Sequence, residues 1–222
     1  MLHQIAAPFR LTPSGETARL YAADLARLLS LSPPVSLSVS EEPRWVVDPP
    51  RQTLFVADQL ESVCRRAHVL LPFDERSVFG RGKGGILLPF SDGSSGPDAF
   101  PLALHLAKQL GVPLIAYHTT WPEDGETSAQ AEDHMCEGAR RVQSDIARAV
   151  AADGGVELRF VIELAEEVVA GIVRAALVNH ASLIVMARGG KTLVGCYVDR
   201  TLQQSPVPVL AVADPLEGGS DD

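Results

Sequence analysis

The chain has 222 residues, 46% of them hydrophobic and 21% charged, enough for one large or two small globular domains with a real core. No apolar run approaches the ~20 residues of a membrane span, and Met1–Arg10 lacks the charged, apolar and cleavage segments of a signal peptide. Three widely spaced cysteines (Cys64, Cys136 and Cys196) fit a reducing cytoplasm, and a formal charge of −9 argues against nucleic acid as a partner.

In chain order, the first elements form a repeat. Residues 5–29 and 86–110 align without gaps and match at ten of 25 positions, among them Ile5/Ile86, Pro8/Pro89, Phe9/Phe90, Gly15/Gly96 and Leu25/Leu106. Each copy reads as an apolar strand, a polar Gly/Ser/Pro turn and a helix with apolar residues three and four apart. A second apolar run follows in both, Val35–Val39 and Val112–Tyr117. Further on, Arg44–Asp48, a helix over Gln52–Arg66 and the run His68–Phe73 parallel Val156–Ile162, a helix over Leu164–His180 and Ser182–Met186. The later copy alone inserts a long helix at Ser128–Ala152, with Met135, Val142, Ile146 and Val150 on one face. It alone continues into a helix at Gly195–Gln204 and the strand Val207–Ala213.

Apolar strands alternating with helices predict βαβ units and a parallel sheet covered on both faces. The expected fold is α/β, with two doubly wound parallel-sheet lobes of which the first is truncated. The first lobe spans residues 1–79, a glycine-rich linker 80–84, the second lobe 85–214, and a flexible acidic tail 215–222. Charge divides at the linker: residues 1–84 carry ten Lys/Arg and nine Asp/Glu, residues 85–222 nine and nineteen.

The second lobe runs ILLPFSDGSS, helix, VPLIAYHT, long helix, VELRFVI, helix, ASLIVMARGG, helix, SPVPVLAVAD. In this order it resembles the universal stress protein family, whose strand order is 3-2-1-4-5. In that family the first strand ends in an acidic residue that meets a nucleoside, and the fourth leads into a G-x2-G-x9-G-[S/T] phosphate loop. The resemblance implies ATP or another adenine nucleotide as ligand, with Asp92, Gly190, Lys191, Gly195 and Cys196 as the candidate site and no metal. Ser91 is inserted before Asp92, Ala187 stands at the first glycine, and only four residues separate Gly190 from Gly195. Glycines let backbone N–H groups cradle phosphate oxygens, and a final hydroxyl adds a donor at a helix N-terminus. Losing two charge-assisted hydrogen bonds at ~1.5–3 kcal/mol each weakens affinity by roughly two to four decades. Lys191 or Arg188 could meet a phosphate instead. In the first lobe Leu11 stands at the position of Asp92, and nothing matches the glycine loop.

Rival motifs are incomplete. Gly189-Gly190-Lys191-Thr192 ends like a P-loop, but Val185 stands where its first glycine belongs. The GRGKGG stretch precedes a strand, whereas a dinucleotide fingerprint follows one. His134-Met135-Cys136 has no second pair at ligand spacing, and no G-x-S-x-G elbow occurs. Cys196 is either an ordinary small residue or a thiol acidified by a helix N-terminus, and Asp92 either faces a ligand or forms an Asp-Gly turn. Glu163–Glu167 reads as the solvated first turn of a helix. The expected function is therefore a cytoplasmic, non-enzymatic regulatory protein of the universal stress type with weak or absent nucleotide binding. Two others compete: a ligand-free interaction module resembling the cytosolic domains of cation/proton antiporters, and a nucleotide-using enzyme, for which no catalytic constellation appears. The apolar strand Val207–Ala213, placed at a sheet edge by the family order, predicts a homodimer through that edge.

Overall fold

The computed structural model of the chain describes residues 4–8, 18, 22–27, 30, 31, 33, 35–37, 53–56, 68–71, 84–90, 99–120, 127–187 and 194–212. Short runs rich in Val, Ile, Leu and Ala form the strands. These are β1 (Gln4–Pro8), β2 (Val35–Leu37), β3 (Thr53–Val56), β4 (His68–Leu71), β5 (Gly85–Pro89), β6 (Leu114–Thr120), β7 (Leu158–Leu164), β8 (Ala181–Ala187) and β9 (Val209–Val212). The helices are α1 (Phe100–Leu110), α2 (Ser128–Asp153), α3 (Val168–Val178) and α4 (Val194–Gln204), and residues 22–27 are also helical.

Helix ends follow local chemistry. Pro101 stands in the first turn of α1, where its missing N–H costs nothing, and Gly111 ends the helix at φ 65°, a left-handed conformation open to glycine. A capping box starts α2: the Gln130 N–H donates to Thr127 Oγ1 at 3.3 Å, and the Thr127 N–H donates to Gln130 Oε1 at 3.0 Å.

All the strands join one sheet in the order β2-β1-β3-β4-β9-β8-β5-β6-β7. Within it, β5 to β9 form a five-stranded parallel sheet of order 3-2-1-4-5, as expected for the second lobe. Side chains alternate across it. Ile86, Leu88, Leu114, Ala116, Leu183, Val185, Leu210 and Val212 face α1 and α2, together with Ala22, Leu25 and Ala26 from the helical stretch of the first lobe. Leu87, Ile115, Tyr117, Ile184, Met186, Val209 and Ala211 face α3 and α4. Helices thus cover both faces, which is why these strands are apolar throughout.

Three expectations are corrected. The segment Gln52–Arg66 is not helical at its start: Thr53–Val56 is a strand beside β1. Its β-branched and aromatic residues favour a pleated surface, and a four-residue apolar run has no readable period. The first lobe also has a strand in the fifth position. Its order β2-β1-β3-β4 matches β6-β5-β8-β9, so β4 corresponds in place to β9. The two pair antiparallel, with Val69 opposite Ala211, Leu70 opposite Leu210 and Leu71 opposite Val209. Consequently the strand within Val207–Ala213 is not an edge available to a second copy. Its backbone groups are satisfied by β8 on one side and β4 on the other. The first-lobe run Arg44–Asp48 and the tail 215–222 lie outside the described residues.

Candidate functional site

Open α/β sheets place ligands outside the carboxyl ends of their strands, where the strand order reverses. Here the reversal falls between β5 and β8, parallel neighbours with Leu87 opposite Ile184. In the chain, residues 91–98 follow β5 and residues 188–193 follow β8. Asp92, Gly190, Lys191 and Arg188 belong to those stretches and lie outside the described residues. Gly195 and Cys196 lie in the first turn of α4, the helix that follows the second stretch.

Two sets of side-chain contacts lie at the carboxyl ends of β5, β6 and β7. Phe90, the residue after β5, is buried and held from three directions. Its N–H donates to Tyr117 O at 2.9 Å. Its carbonyl accepts from His118 Nδ1 at 2.9 Å, and its ring stacks on the His118 ring at 5.1 Å between centroids. A carbonyl can only accept, so Nδ1 carries the proton in this contact. The residue that closes β5 is thereby held in place. In the sequence His118 stands alone at a strand edge, and no spacing rule links it to Phe90, 28 residues away.

On the opposite face Tyr117 is fully buried, and its hydroxyl donates to Glu163 Oε1 at 3.0 Å. Arg174 Nη2 donates to the same oxygen at 3.0 Å, and Thr119 Oγ1 donates to the Glu163 carbonyl at 2.8 Å. Burial first, and the Glu163 carboxylate after it, push the Tyr117 phenol well above the usual tyrosine range against the opposing hydrogen bond from Thr119. Glu163 is therefore the end of a strand and a buried tyrosine's acceptor, which corrects its reading as a solvated helical residue. Glu167 does open the helix. Its carboxylate accepts from Val169 N at 3.1 Å and Ala170 N at 2.7 Å, capping α3, and it pairs with Arg200 of α4 at 3.0 Å. Although partial burial opposes ionisation, those two N–H groups and the Arg200 guanidinium hold the carboxyl below the usual range. The pair ties α4 to α3.

Among the described residues no cluster of three or more His, Cys, Asp or Glu side chains could hold a metal, and no helix is long and apolar enough to cross a membrane.

Residues 85–213, more than half of the chain, match the universal stress protein family, covering β5 to β9. The chain belongs to the universal stress protein family. No curated protein matches it by sequence. Among solved structures, this family member is similar to a universal stress protein from Archaeoglobus fulgidus DSM 4304, with a TM-score of 0.67 and 14% identity over 95% of this chain and 98% of that one. A putative universal stress protein from Pseudomonas aeruginosa UCBPP-PA14 gives 0.57 and 14% over 96% and 93%. An Archaeoglobus fulgidus universal stress protein solved in complex with dAMP gives 0.48 and 18% over 58% and 97%. At these identities the likeness is one of fold. For the first two it extends through both lobes.

Proposed function

We propose that this universal stress protein is a cytoplasmic, non-enzymatic regulatory protein carrying one weak adenine-nucleotide site in its second lobe. The observation that supports the reading most is the adjacency of β5 and β8. It starts the stretch bearing Asp92 and the stretch bearing Gly190 from neighbouring strand ends, with the first turn of α4 next in the chain. In this reading Asp92 meets the ribose or base, while Gly190, Gly195 and Cys196 meet phosphate. Lys191 or Arg188 meets the phosphate oxygens that the shortened glycine spacing leaves uncradled. The first lobe is a shorter second copy of the fold whose strand order mirrors that of the second, and with Leu11 in place of the acid it binds no nucleotide.

Calorimetric titration with ATP tests this. The expected result is one site per chain with affinity weaker than micromolar, lowered further by Asp92→Ala, since a nucleoside contact removed from a pocket costs about 1–3 kcal/mol. Sub-micromolar affinity, two equivalent sites, or binding indifferent to Asp92→Ala would overturn it. Complete absence of binding favours the second reading, a ligand-free interaction module, which the four-residue interval between Gly190 and Gly195 also supports.

A further inference from the structure

With β9 closed by β4, the second lobe keeps one outer strand, β7, which ends the sheet beyond β6. Seven residues long, it has no partner on its outer side among the described residues. Which backbone groups point outward follows from two contacts. Leu114 N donates to Glu157 O at 2.8 Å, and Thr119 Oγ1 donates to Glu163 O, so the carbonyls of Glu157 and Glu163 face β6. Because direction alternates along a strand, the N–H and C=O groups of Leu158, Phe160, Ile162 and Leu164 face outward.

The sequence of this strand, Leu-Arg-Phe-Val-Ile-Glu-Leu, is chemically palindromic about Val161. We infer that β7 pairs antiparallel with β7 of a second copy of this chain, about a two-fold axis through Val161. In that register Leu158 meets the partner's Leu164 and Phe160 meets the partner's Ile162. All four residues present outward backbone groups, so each such pair exchanges both of its hydrogen bonds. The alternate pairs, Arg159 with the partner's Glu163 and the reverse, are the closer-spaced kind in which side chains meet best.

The charges select this register. Moving the axis to residue 159 or 163 sets Arg159 against itself or Glu163 against itself. Both groups have capacity left. Arg159 is exposed and uses Nε on Glu157 Oε1 at 2.7 Å, which leaves its two terminal nitrogens. Glu163 receives Tyr117 and Arg174 on Oε1, which leaves Oε2. Charges also serve on edge strands to repel partners. An opposite pair placed symmetrically about the centre of an antiparallel strand attracts its own copy instead, and the resulting contact is isologous and closed.

Light scattering on the full chain, with amide hydrogen exchange, tests the proposal. Wild type is expected to be a dimer at about 100 μM. Arg159→Gln weakens the dimer, and Arg159→Glu, which sets two like pairs face to face, raises its dissociation constant at least about tenfold. Arg159 is exposed, so folding survives, and the amides of Phe160 and Ile162 are slow in wild type and faster in Arg159→Glu. A monomeric wild type, a dimer indifferent to Arg159→Glu, or equal exchange at Phe160 and Ile162 in both proteins overturns it. A segment of the same chain lying over β7 would show as a monomer with protected amides.

Discussion

Replacing Gly171 by alanine sets two effects of opposite sign against each other. Gly171 lies inside α3, where glycine costs about 1 kcal/mol relative to alanine, so helix propensity alone predicts a more stable protein. Packing predicts the reverse. A Cβ at this position would stand 2.7 Å from the Tyr117 hydroxyl and 2.9 Å from the Ala165 Cβ, against the roughly 3.5–4.0 Å of an unstrained contact. Neither neighbour can turn away: Ala165 has no rotamer, and Tyr117 is fully buried with its hydroxyl on Glu163. One relief moves α3 off the sheet and loosens Ile172, Ala175 and Ala176, an over-packing cost of about 1–3 kcal/mol. The other displaces the hydroxyl from Glu163 and strands a buried polar group, also about 1–3 kcal/mol. Set against the gain in propensity, either relief leaves a net loss of up to about 2 kcal/mol. For a chain of this size that lowers Tm by about 2–4 °C per kcal/mol. Urea and thermal denaturation of wild type, Gly171→Ala, Tyr117→Phe and the double variant measure it. Removing the hydroxyl relieves the closer clash, so the double variant should recover about 0.5–3 kcal/mol relative to additivity. A Gly171→Ala protein that melts above wild type would refute the packing argument outright.

The raised phenol of Tyr117 gives an alkaline signature. Above the ordinary tyrosine value near 10 the unfolded chain ionises this group while the folded chain keeps it protonated, so the stability it contributes is present below that pH and lost above it. Denaturation between pH 9 and 11 should show an extra fall of up to about 1.4 kcal/mol per pH unit in wild type that is absent in Tyr117→Phe. The lowered carboxyl of Glu167 acts at the other end. Its contribution is present above the ordinary glutamate value near 4.3 and disappears as pH falls through the folded value, so the acid limb of stability should shrink in Glu167→Gln. At neutral pH, Glu167→Ala removes the α3 cap and should cost about 0.5–2 kcal/mol by chemical denaturation.

The architecture of the second lobe was legible because its signals are periodic and redundant. The long helix expected at Ser128–Ala152 is observed at Ser128–Asp153, and the strands at Val112–Tyr117, Val156–Ile162 and Ser182–Met186 lie within a few residues of β6, β7 and β8. Each run is apolar on the face that ends up buried, and the turn residues between them are Gly, Pro and Asn. The first lobe was less legible. Thr53–Val56 is four residues long, and alignment to the repeat absorbed it into a helix. That one misreading moved every later element of the lobe by a position and concealed the fifth strand. The long-range side-chain contacts were illegible for another reason. Phe90 with His118, Tyr117 with Glu163 and Glu167 with Arg200 are separated by 28, 46 and 33 residues, and no motif spacing encodes contacts made only when strands and helices assemble.

The joint between the lobes bears on how the protein assembles. A short apolar strand such as β9 needs a partner, and within one chain β4 supplies it. Covalent connection makes that pairing intramolecular, so the joint persists at dilutions that would separate two chains. The core repeats the arrangement, since Ala18, Ala22, Leu25 and Ala26 of the first lobe share a cluster with Leu210 and Val212 of β9. Closing this edge internally removes it from the set of surfaces by which copies could meet and leaves β7 as the outer strand of the second lobe. The two surfaces therefore respond differently to dilution. Protection of β9 amides should be indifferent to protein concentration, whereas protection of Phe160 and Ile162 should fall on dilution. Concentration-dependent protection in β9 would mean that the lobes separate, and that the continuity of the sheet across β4 and β9 is not the resting state of the chain.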